Sequence, residues 1–241
     1  MNSRVQQIRD NITLAQGNIE KALHRSGEPS RDVKIVVVTK GQPVEVISAV
    51  ISAGARILGE NYPEETIIKM PEIPEPVEWH MIGHLQRRKS QLVAEKFDYF
   101  ESLDSLGLAE RINRQLIELN KKLPVLIEVN ISGEEGKFGF PAWDKEMYND
   151  LLKTIGELSH FPQLIIMGLM VMPPLVTDPE DSRSYFRKTR ELRDYLHREL
   201  GEGQLSELSM GTSSDYVVAV EEGATIVRLG TCIVGPRPKK V

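Results

Sequence analysis

Residues 34–47 read KIVVVTKGQPVEVI, an apolar run that ends on a lysine and then turns. The first part, 34–39, is rich in β-branched residues, which is typical of a parallel strand buried on both faces. Gly41 and Pro43 interrupt the run, and the apolar spacing over 44–53 predicts a helix. A strand that passes directly into a helix is the repeating unit of a parallel α/β protein.

The same unit recurs along the chain. Further strand patterns are ARILGEN (55–61), VEWHMIG (77–83), FDYFESL (97–103), PVLIEVN (124–130), LIIMGLMVM (164–172), QLSELSMG (204–211) and TIVRLGT (225–231). Helical patterns follow most of them, at 63–69, 85–95, 106–119, 145–158, 181–200 and 215–222. Eight units in 241 residues predict an α/β fold of one domain over 1–241, a (β/α)8 or TIM barrel. An open doubly wound sheet is the alternative.

The N-terminal segment lies outside this count. Apolar residues recur there at spacings of three and four, and Gly27 and Pro29 end the pattern. We therefore expect an extra N-terminal helix within residues 1–27, packed on the barrel.

Composition narrows the function classes. The net charge is -5, which argues against a nucleic-acid-binding protein, although the role of the basic run Arg87-Arg88-Lys89 stays open. The single cysteine excludes an internal disulfide and favours a reducing compartment. No run of 18 apolar residues and no signal-peptide pattern occurs. We expect a cytoplasmic protein, with no membrane partner, that acts as a monomer.

Two neighbouring strand ends look like a phosphate site. SMGTSSD (209–215) and RLGTCIVG (228–235) combine small residues with hydroxyls, so backbone N–H groups can approach an anion closely. The loops after strands seven and eight of a barrel often bind phosphate. The alternative is that Ser213 or Ser214 only caps the following helix.

Lys40 ends the first strand, at the carboxyl end of the barrel, where the active sites of such barrels lie. It could be a solvated end of the strand. If its ammonium lies over an apolar mouth, its pKa falls and the neutral amine becomes a nucleophile. Opposite a phosphate site, this predicts a Schiff base with a phosphorylated aldehyde or ketone.

Arg228 lies two residues before Gly230, in the same strand end as the predicted cradle. It could form a structural ion pair with Glu60, Glu101 or Glu128. It could instead face the pyridine nitrogen of pyridoxal 5′-phosphate (PLP), where a permanent positive charge discourages protonation and makes the ring a weak electron sink.

Seven ordered segments resemble successive motifs of the YggS/PROSC pyridoxal phosphate homeostasis proteins. They are VVVTKGQPVEVI (36–47), GENYPEE (59–65), WHMIGHLQRRK (79–89), GKFGF (136–140), MGLMVMPP (167–174), LSMGTSSDY (208–216) and VRLGTCIVGPR (227–237). Two local departures are LQRRK where the family often has LQSNK, and SMGTS where it often has SMGMS.

The resemblance implies an alanine-racemase-like barrel with PLP as its cofactor. Carried over position by position, Lys40 would hold PLP as an internal aldimine, and Asn61 would lie near the ring. Arg228 would face the pyridine nitrogen. Ser213, Gly230, Thr231 and, with less support, Ser209 would bind the phosphate.

A racemase needs acid/base groups on both faces of the substrate carbon. In related two-domain racemases the resemblance places the second group in a C-terminal β-domain, whereas this sequence continues only to Val241. We therefore expect no catalytic residues and little or no turnover. The predicted function is PLP homeostasis, through storage, delivery or buffering of the cofactor, with apo forms of PLP enzymes as recipients.

Three alternatives remain. The protein could be a slow PLP-dependent racemase that uses Tyr62 or a histidine as its second base. It could be a Schiff-base aldolase acting on a phosphorylated sugar. It could also be a metallohydrolase built on His80 and His84, although this spacing on a strand lacks the helical geometry of zinc sites.

Overall fold

A computed structural model describes residues 3–201 and 205–237. Its nine strands are β1 (Lys34–Val38), β2 (Ile57–Glu60), β3 (Glu78–Met81), β4 (Tyr99–Leu103), β5 (Leu123–Asn130), β6 (Phe140–Pro141), β7 (Leu164–Val171), β8 (Glu207–Thr212) and β9 (Ile226–Leu229). Its α-helices are α1 (Ser3–Arg25), α2 (Val44–Ser52), α3 (Pro63–Lys69), α4 (Ser90–Lys96), α5 (Leu106–Glu118), α6 (Tyr148–Leu158), α7 (Arg183–Leu200), α8 (Tyr216–Glu221) and α9 (Thr231–Val234).

All strand pairs are parallel, and the sheet closes on itself. The ring runs β1-β2-β3-β4-β5-β7-β8-β9 and returns to β1, with Val36 opposite Arg228 where β9 meets β1. The predicted (β/α)8 barrel is therefore confirmed, and the open-sheet alternative is wrong.

The strands separate two apolar layers because successive side chains point to opposite faces. The larger cluster lies between the strands and the helices and includes Val37, Phe100 and Leu169. A smaller cluster fills the barrel interior with Val36, Val38, Ile82, Tyr99, Leu126, Met170 and Ile226. Val36 and Val38 point inward, which places Lys40 on the inward-facing series of β1.

The expected N-terminal helix is present as α1 and packs against α2, α8 and α9. It buries Ile8, Ala15 and Ile19. A side-chain hydrogen bond also links it to α8, since Asn18 Nδ2 donates to the Tyr216 hydroxyl at 2.9 Å. The helix thus covers the seam where β9 joins β1.

Some boundaries differ from the sequence prediction. The helix expected over 85–95 begins as a 3₁₀ turn at Arg87–Lys89 and becomes α-helical only at Ser90. The two-residue strand β6, which pairs with the end of β5, was not predicted. The strand expected from residue 204 begins at Glu207, and residue 204 itself lies outside the described residues. Within the described ranges, no helix is both long and apolar enough to cross a membrane.

Gly168 is required by close packing between β7 and β8. A Cβ there would lie 1.9 Å from the carbonyl oxygen of Glu207, and backbone cannot easily move away from such an overlap. We expect Gly168→Ala to destabilise the protein by about 3 kcal/mol, the upper range for overpacking a core. The midpoint of urea unfolding measures this.

Gly156 supplies the matched control. It lies exposed in α6, where a Cβ would meet no atom within 4 Å. Gly156→Ala should stabilise the helix by about 0.5–1 kcal/mol. Equal stability of the two variants would contradict the assigned β7–β8 packing.

Candidate functional site

A cavity of about 620 Å³ opens at the carboxyl ends of the barrel strands. It brings together six of the seven residues predicted from sequence: Lys40, Asn61, Ser213, Arg228, Gly230 and Thr231. These residues come from β1, β2, β8 and β9 or the loops that follow them. Their roles toward a ligand stay predictions, but their shared location follows directly from barrel closure.

Lys40 reaches the cavity because the chain stays extended through Thr39 and then turns. The Thr39 N–H donates to the Gly59 carbonyl at 3.0 Å, and the Thr39 hydroxyl faces outward to Glu60 Oε1 at 2.7 Å. Lys40 and Gly41 are the central residues of the turn, which the Gln42 N–H closes by donating to the Thr39 carbonyl at 3.0 Å. Gly41 has a φ of +69°, a conformation that favours glycine, so Lys40 is held in a fixed turn directly after an ordered strand.

The surroundings of Lys40 favour its neutral amine. Burial lowers the pKa of the ammonium, and the positive charges of Arg237 and Arg228 lower it further. The opposing effect of Glu60 is weaker. Both a desolvated lysine and a lysine near other cations are activated as nucleophiles.

Ser213 lies at the centre of the predicted phosphate cradle. Its hydroxyl oxygen accepts hydrogen bonds from the backbone N–H groups of Gly230, at 3.1 Å, and Cys232, at 3.3 Å. It does not cap α8, because the residue before that helix is Asp215, whose carboxylate bonds back to Thr212. With its oxygen held by these two N–H groups, the Ser213 hydroxyl can donate its own hydrogen to an anion in the cavity.

Gly230 leaves this backbone open to the cavity. A Cβ there would make only ordinary contact with Val38, at 3.5 Å, so packing within the protein does not demand a glycine. The missing side chain instead lets a ligand in the cavity approach the main chain closely.

Asn61 offers an unused polar atom. Its Oδ1 is buried without a hydrogen-bond partner among the described residues. Its amide packs so closely on Gly83 that a Cβ at that glycine would lie 2.8 Å from the Asn61 side chain. Since unpaired buried polar atoms are costly, this oxygen is suited to accept a hydrogen bond from a ligand.

Arg228 is almost fully buried, with 3% of its surface exposed, and still lines the cavity. Its Nη2 donates to the Val171 carbonyl and its Nη1 donates to the Ser209 hydroxyl. Glu101 lies 3.9 Å away and is the nearest carboxylate partner, whereas Glu60 faces the outer layer. The expected ion pair and the expected cavity position are thus both present.

Ser209 is the one predicted residue that the cavity excludes. It is fully buried, and its hydroxyl accepts from Arg228 and donates to Glu101 at 2.6 Å. The alternation of β8 places it below the mouth of the barrel, where it contacts Arg228 and not the cradle around Ser213.

The histidines do not form a metal site. His80 is buried inside the barrel and bonds to Glu101 and Glu78, while His84 lies near the rim with Asp104 at 2.7 Å. Among residues 3–201 and 205–237, no cluster of three or more His, Cys, Asp or Glu side chains is arranged to hold a metal ion. The metallohydrolase alternative therefore has no structural support.

Sequence reasoning assigned no role to the rest of the lining. The cavity also contains Val38, Ile82, Met172, Leu175, Thr212, Ser214, Cys232 and Arg237. Arg237 and Leu175 lie in segments without helix or strand pattern, so periodicity gave no signal for them. Arg237 nevertheless ends the motif VRLGTCIVGPR (227–237). It adds a positive charge beside Lys40 that sequence reasoning did not include in the site.

Comparison with known families gives a consistent result. Residues 11–238 match the family model described as alanine racemase, N-terminal domain. Two relatives described as pyridoxal phosphate homeostasis proteins are similar over nearly their whole length. The protein from Aquifex aeolicus is 41% identical over 91% of this chain and 93% of its own, and that from Pasteurella multocida is 36% identical over 95% and 97%.

Solved structures agree with these matches. The chain is similar to PipY of Synechococcus elongatus, a structure determined with PLP bound, with 32% identity and a TM-score of 0.82, covering 95% of this chain and all of PipY. An alanine racemase from Clostridium difficile is 17% identical with a TM-score of 0.70; 98% of this chain aligns with 58% of that enzyme, which supports the fold alone.

The lowered pKa of Lys40 is directly testable without a ligand. Competitive acetylation across pH, followed by peptide mass spectrometry, should give Lys40 a lower midpoint than Lys153, an exposed lysine whose pKa is raised by Asp150. Arg237→Gln should move the Lys40 midpoint to higher pH, because it removes a neighbouring positive charge. Coincident curves for the two lysines would contradict the assigned environment.

Proposed function

This chain belongs to the pyridoxal phosphate homeostasis protein family, and on that premise we propose that it binds PLP and stores, delivers or buffers it. The observation that carries the proposal is one cavity in which Lys40, Arg228 and the Ser213 cradle meet. The relative PipY, whose structure with PLP shares this fold, supports the same cofactor. The proposal takes residues 1–241 as one PLP-binding domain.

Each part of PLP finds a complementary group in the cavity. The phosphate would lie against the Ser213 hydroxyl, which can donate to it, and against the backbone around Gly230 and Thr231. The pyridine nitrogen would face Arg228. The Asn61 Oδ1 atom, which lacks a partner, would accept from a donor at the ring.

Lys40 would provide the covalent link. PLP would supply an aldehyde, and the neutral Lys40 amine would be the group that holds it as a Schiff base, with the aldehyde oxygen lost as water. The lowered pKa of Lys40 favours this step by raising the fraction of neutral amine. The bond is reversible by hydrolysis, which suits a protein that must release its cofactor.

Two features support low turnover. The Arg228 guanidinium is permanently charged and can only donate hydrogen bonds. Beside the pyridine nitrogen it would disfavour protonation of that nitrogen, and the unprotonated ring would withdraw electrons weakly. The described residues that line the cavity include no tyrosine and no histidine that could serve as a second acid or base. Tyr62, the earlier candidate, is half exposed and lies outside this lining.

The biological part of the proposal goes beyond the cavity. We take the protein to act as a cytoplasmic monomer, and apo forms of PLP-dependent enzymes to be the recipients of the cofactor. A small cavity that holds an aldehyde reversibly is consistent with either storage or handover.

Borohydride reduction tests the covalent link. The purified protein incubated with PLP should show visible absorbance, which reduction converts into a stable adduct on Lys40 that peptide mass mapping identifies. Lys40→Ala should lose the adduct and the visible band. A main adduct on another lysine would refute the assignment, and substantial racemisation of amino acids that depends on Lys40 would favour the racemase alternative.

Ser213→Ala tests the phosphate cradle. Removal of a hydrogen bond to a charged group should weaken PLP binding about tenfold or more. Pyridoxal, which lacks the phosphate, serves as the matched ligand. Its affinity should change by less than about twofold, because it never makes the contact that the substitution removes. Equal losses for both ligands, measured by spectroscopic titration, would place the phosphate elsewhere.

A further inference from the structure

Arg228 is the upper end of a hydrogen-bonded column inside the barrel. Below it, the Ser209 hydroxyl accepts from Arg228 and donates to Glu101 at 2.6 Å. Glu101 is bonded in turn to His80 Nδ1 at 2.6 Å, and His80 Nε2 lies 3.0 Å from Glu78. The column joins β9, β8, β4 and β3 across the barrel interior.

The column alternates in charge. Burial alone would lower the pKa of His80, but its hydrogen bonds to Glu101 and Glu78 outweigh burial and raise it to about 9. Burial would raise the pKa of Glu101, but the hydrogen bond and charge of His80, with Arg228 and Ser209, lower it instead. At neutral pH the sequence of charges is therefore Arg228 positive, Glu101 negative, His80 positive and Glu78 negative.

This arrangement fixes the direction of the Ser209 hydroxyl. An ionised Glu101 can only accept, so Ser209 must donate to it and turn a lone pair toward Arg228. The other side of the guanidinium is held by the Val171 carbonyl at 2.9 Å and Met172 Sδ at 2.8 Å. Arg228 is thus held from several sides, and these contacts fix the direction of its remaining N–H groups.

We propose that Glu101, acting through Ser209, is a positioning residue that holds the Arg228 guanidinium against the ring nitrogen of PLP, with His80 as the buried cation that keeps Glu101 in place. The inference rests on the proposed function, since it concerns the same cofactor. It goes further in assigning a role to three buried residues that contact neither phosphate nor aldehyde.

A second network in the same interior provides a matched control. Lys34 Nζ lies 2.5 Å from Glu207 Oε1, and the Tyr99 hydroxyl donates to Glu207 Oε2 at 2.7 Å. Among the described residues, the side-chain hydrogen bonds of these three groups do not reach Arg228 or Ser209. Tyr99 also stacks on His80, with ring centroids 4.5 Å apart, and Tyr99→Phe keeps that ring.

The test uses Glu101→Gln and Ser209→Ala, each loaded with PLP, beside wild type and Tyr99→Phe. Glu101→Gln removes the charge but keeps the shape, and Ser209→Ala removes only the link, so it remains informative if the buried-charge variant folds poorly. Three quantities are measured: the ratio of the absorption bands of bound PLP, the rate of PLP loss after dilution, and the midpoint of thermal unfolding.

We expect both column variants to change the band ratio and to lose PLP about tenfold faster, the size expected for a lost charge-assisted hydrogen bond. Tyr99→Phe should lower the unfolding midpoint while keeping the wild-type band ratio and rate of loss. The inference is overturned if the column variants lower only the midpoint, as the control does, because their role is then structural. Failure of the wild type to bind PLP would instead refute the proposed function itself.

Discussion

Closure of the sheet is the constraint from which the site follows. In a closed parallel barrel each strand has one face toward a narrow interior and one toward the helices, and a shift of one residue would exchange them. The pairing of Val36 with Arg228 and of Val37 with Leu229 fixes β1 against β9. That register sets Lys40 and Arg228 on inward-facing positions of adjacent strands, and a shifted β1 would present Thr39 to the cavity instead.

The interior that closure creates is unusually polar for a core. Only a small apolar cluster fills it, and the fully buried Glu101 and His80 share the same space. Taking such groups out of water is costly and is offset only when they are paired and hydrogen-bonded. The interior column therefore contributes little net stability, and the larger apolar layer between strands and helices must stabilise the fold. What the column does provide is a fixed orientation for Arg228.

The sequence predicted features that depend on local pattern, and it missed those that depend on register and on irregular segments. The eight units and the N-terminal helix follow from periodicity, and the positions of Lys40 and Arg228 follow from their strand ends. The family resemblance placed Ser209 at the phosphate with less support than Ser213, but alternation along β8 puts it beneath Arg228. Arg237 lines the cavity from an irregular segment, and no periodic signal marks its contact. The family motifs supplied the cofactor, which residue spacing alone left open.

Under the proposed function, the mouth of the cavity distinguishes a carrier from a catalyst. Catalysts of this chemistry gain from excluding water, which protects reactive intermediates and strengthens electrostatic interactions. Here Leu175 lines the cavity while 99% exposed, and Met172 beside it is also exposed. On that proposal, an open mouth would admit water to a Schiff base on Lys40, while the Ser213 cradle and Arg228 would retain the cofactor by non-covalent contacts. Retention and release by hydrolysis would then be separate steps, and a recipient that competes for the free aldehyde would draw the cofactor out.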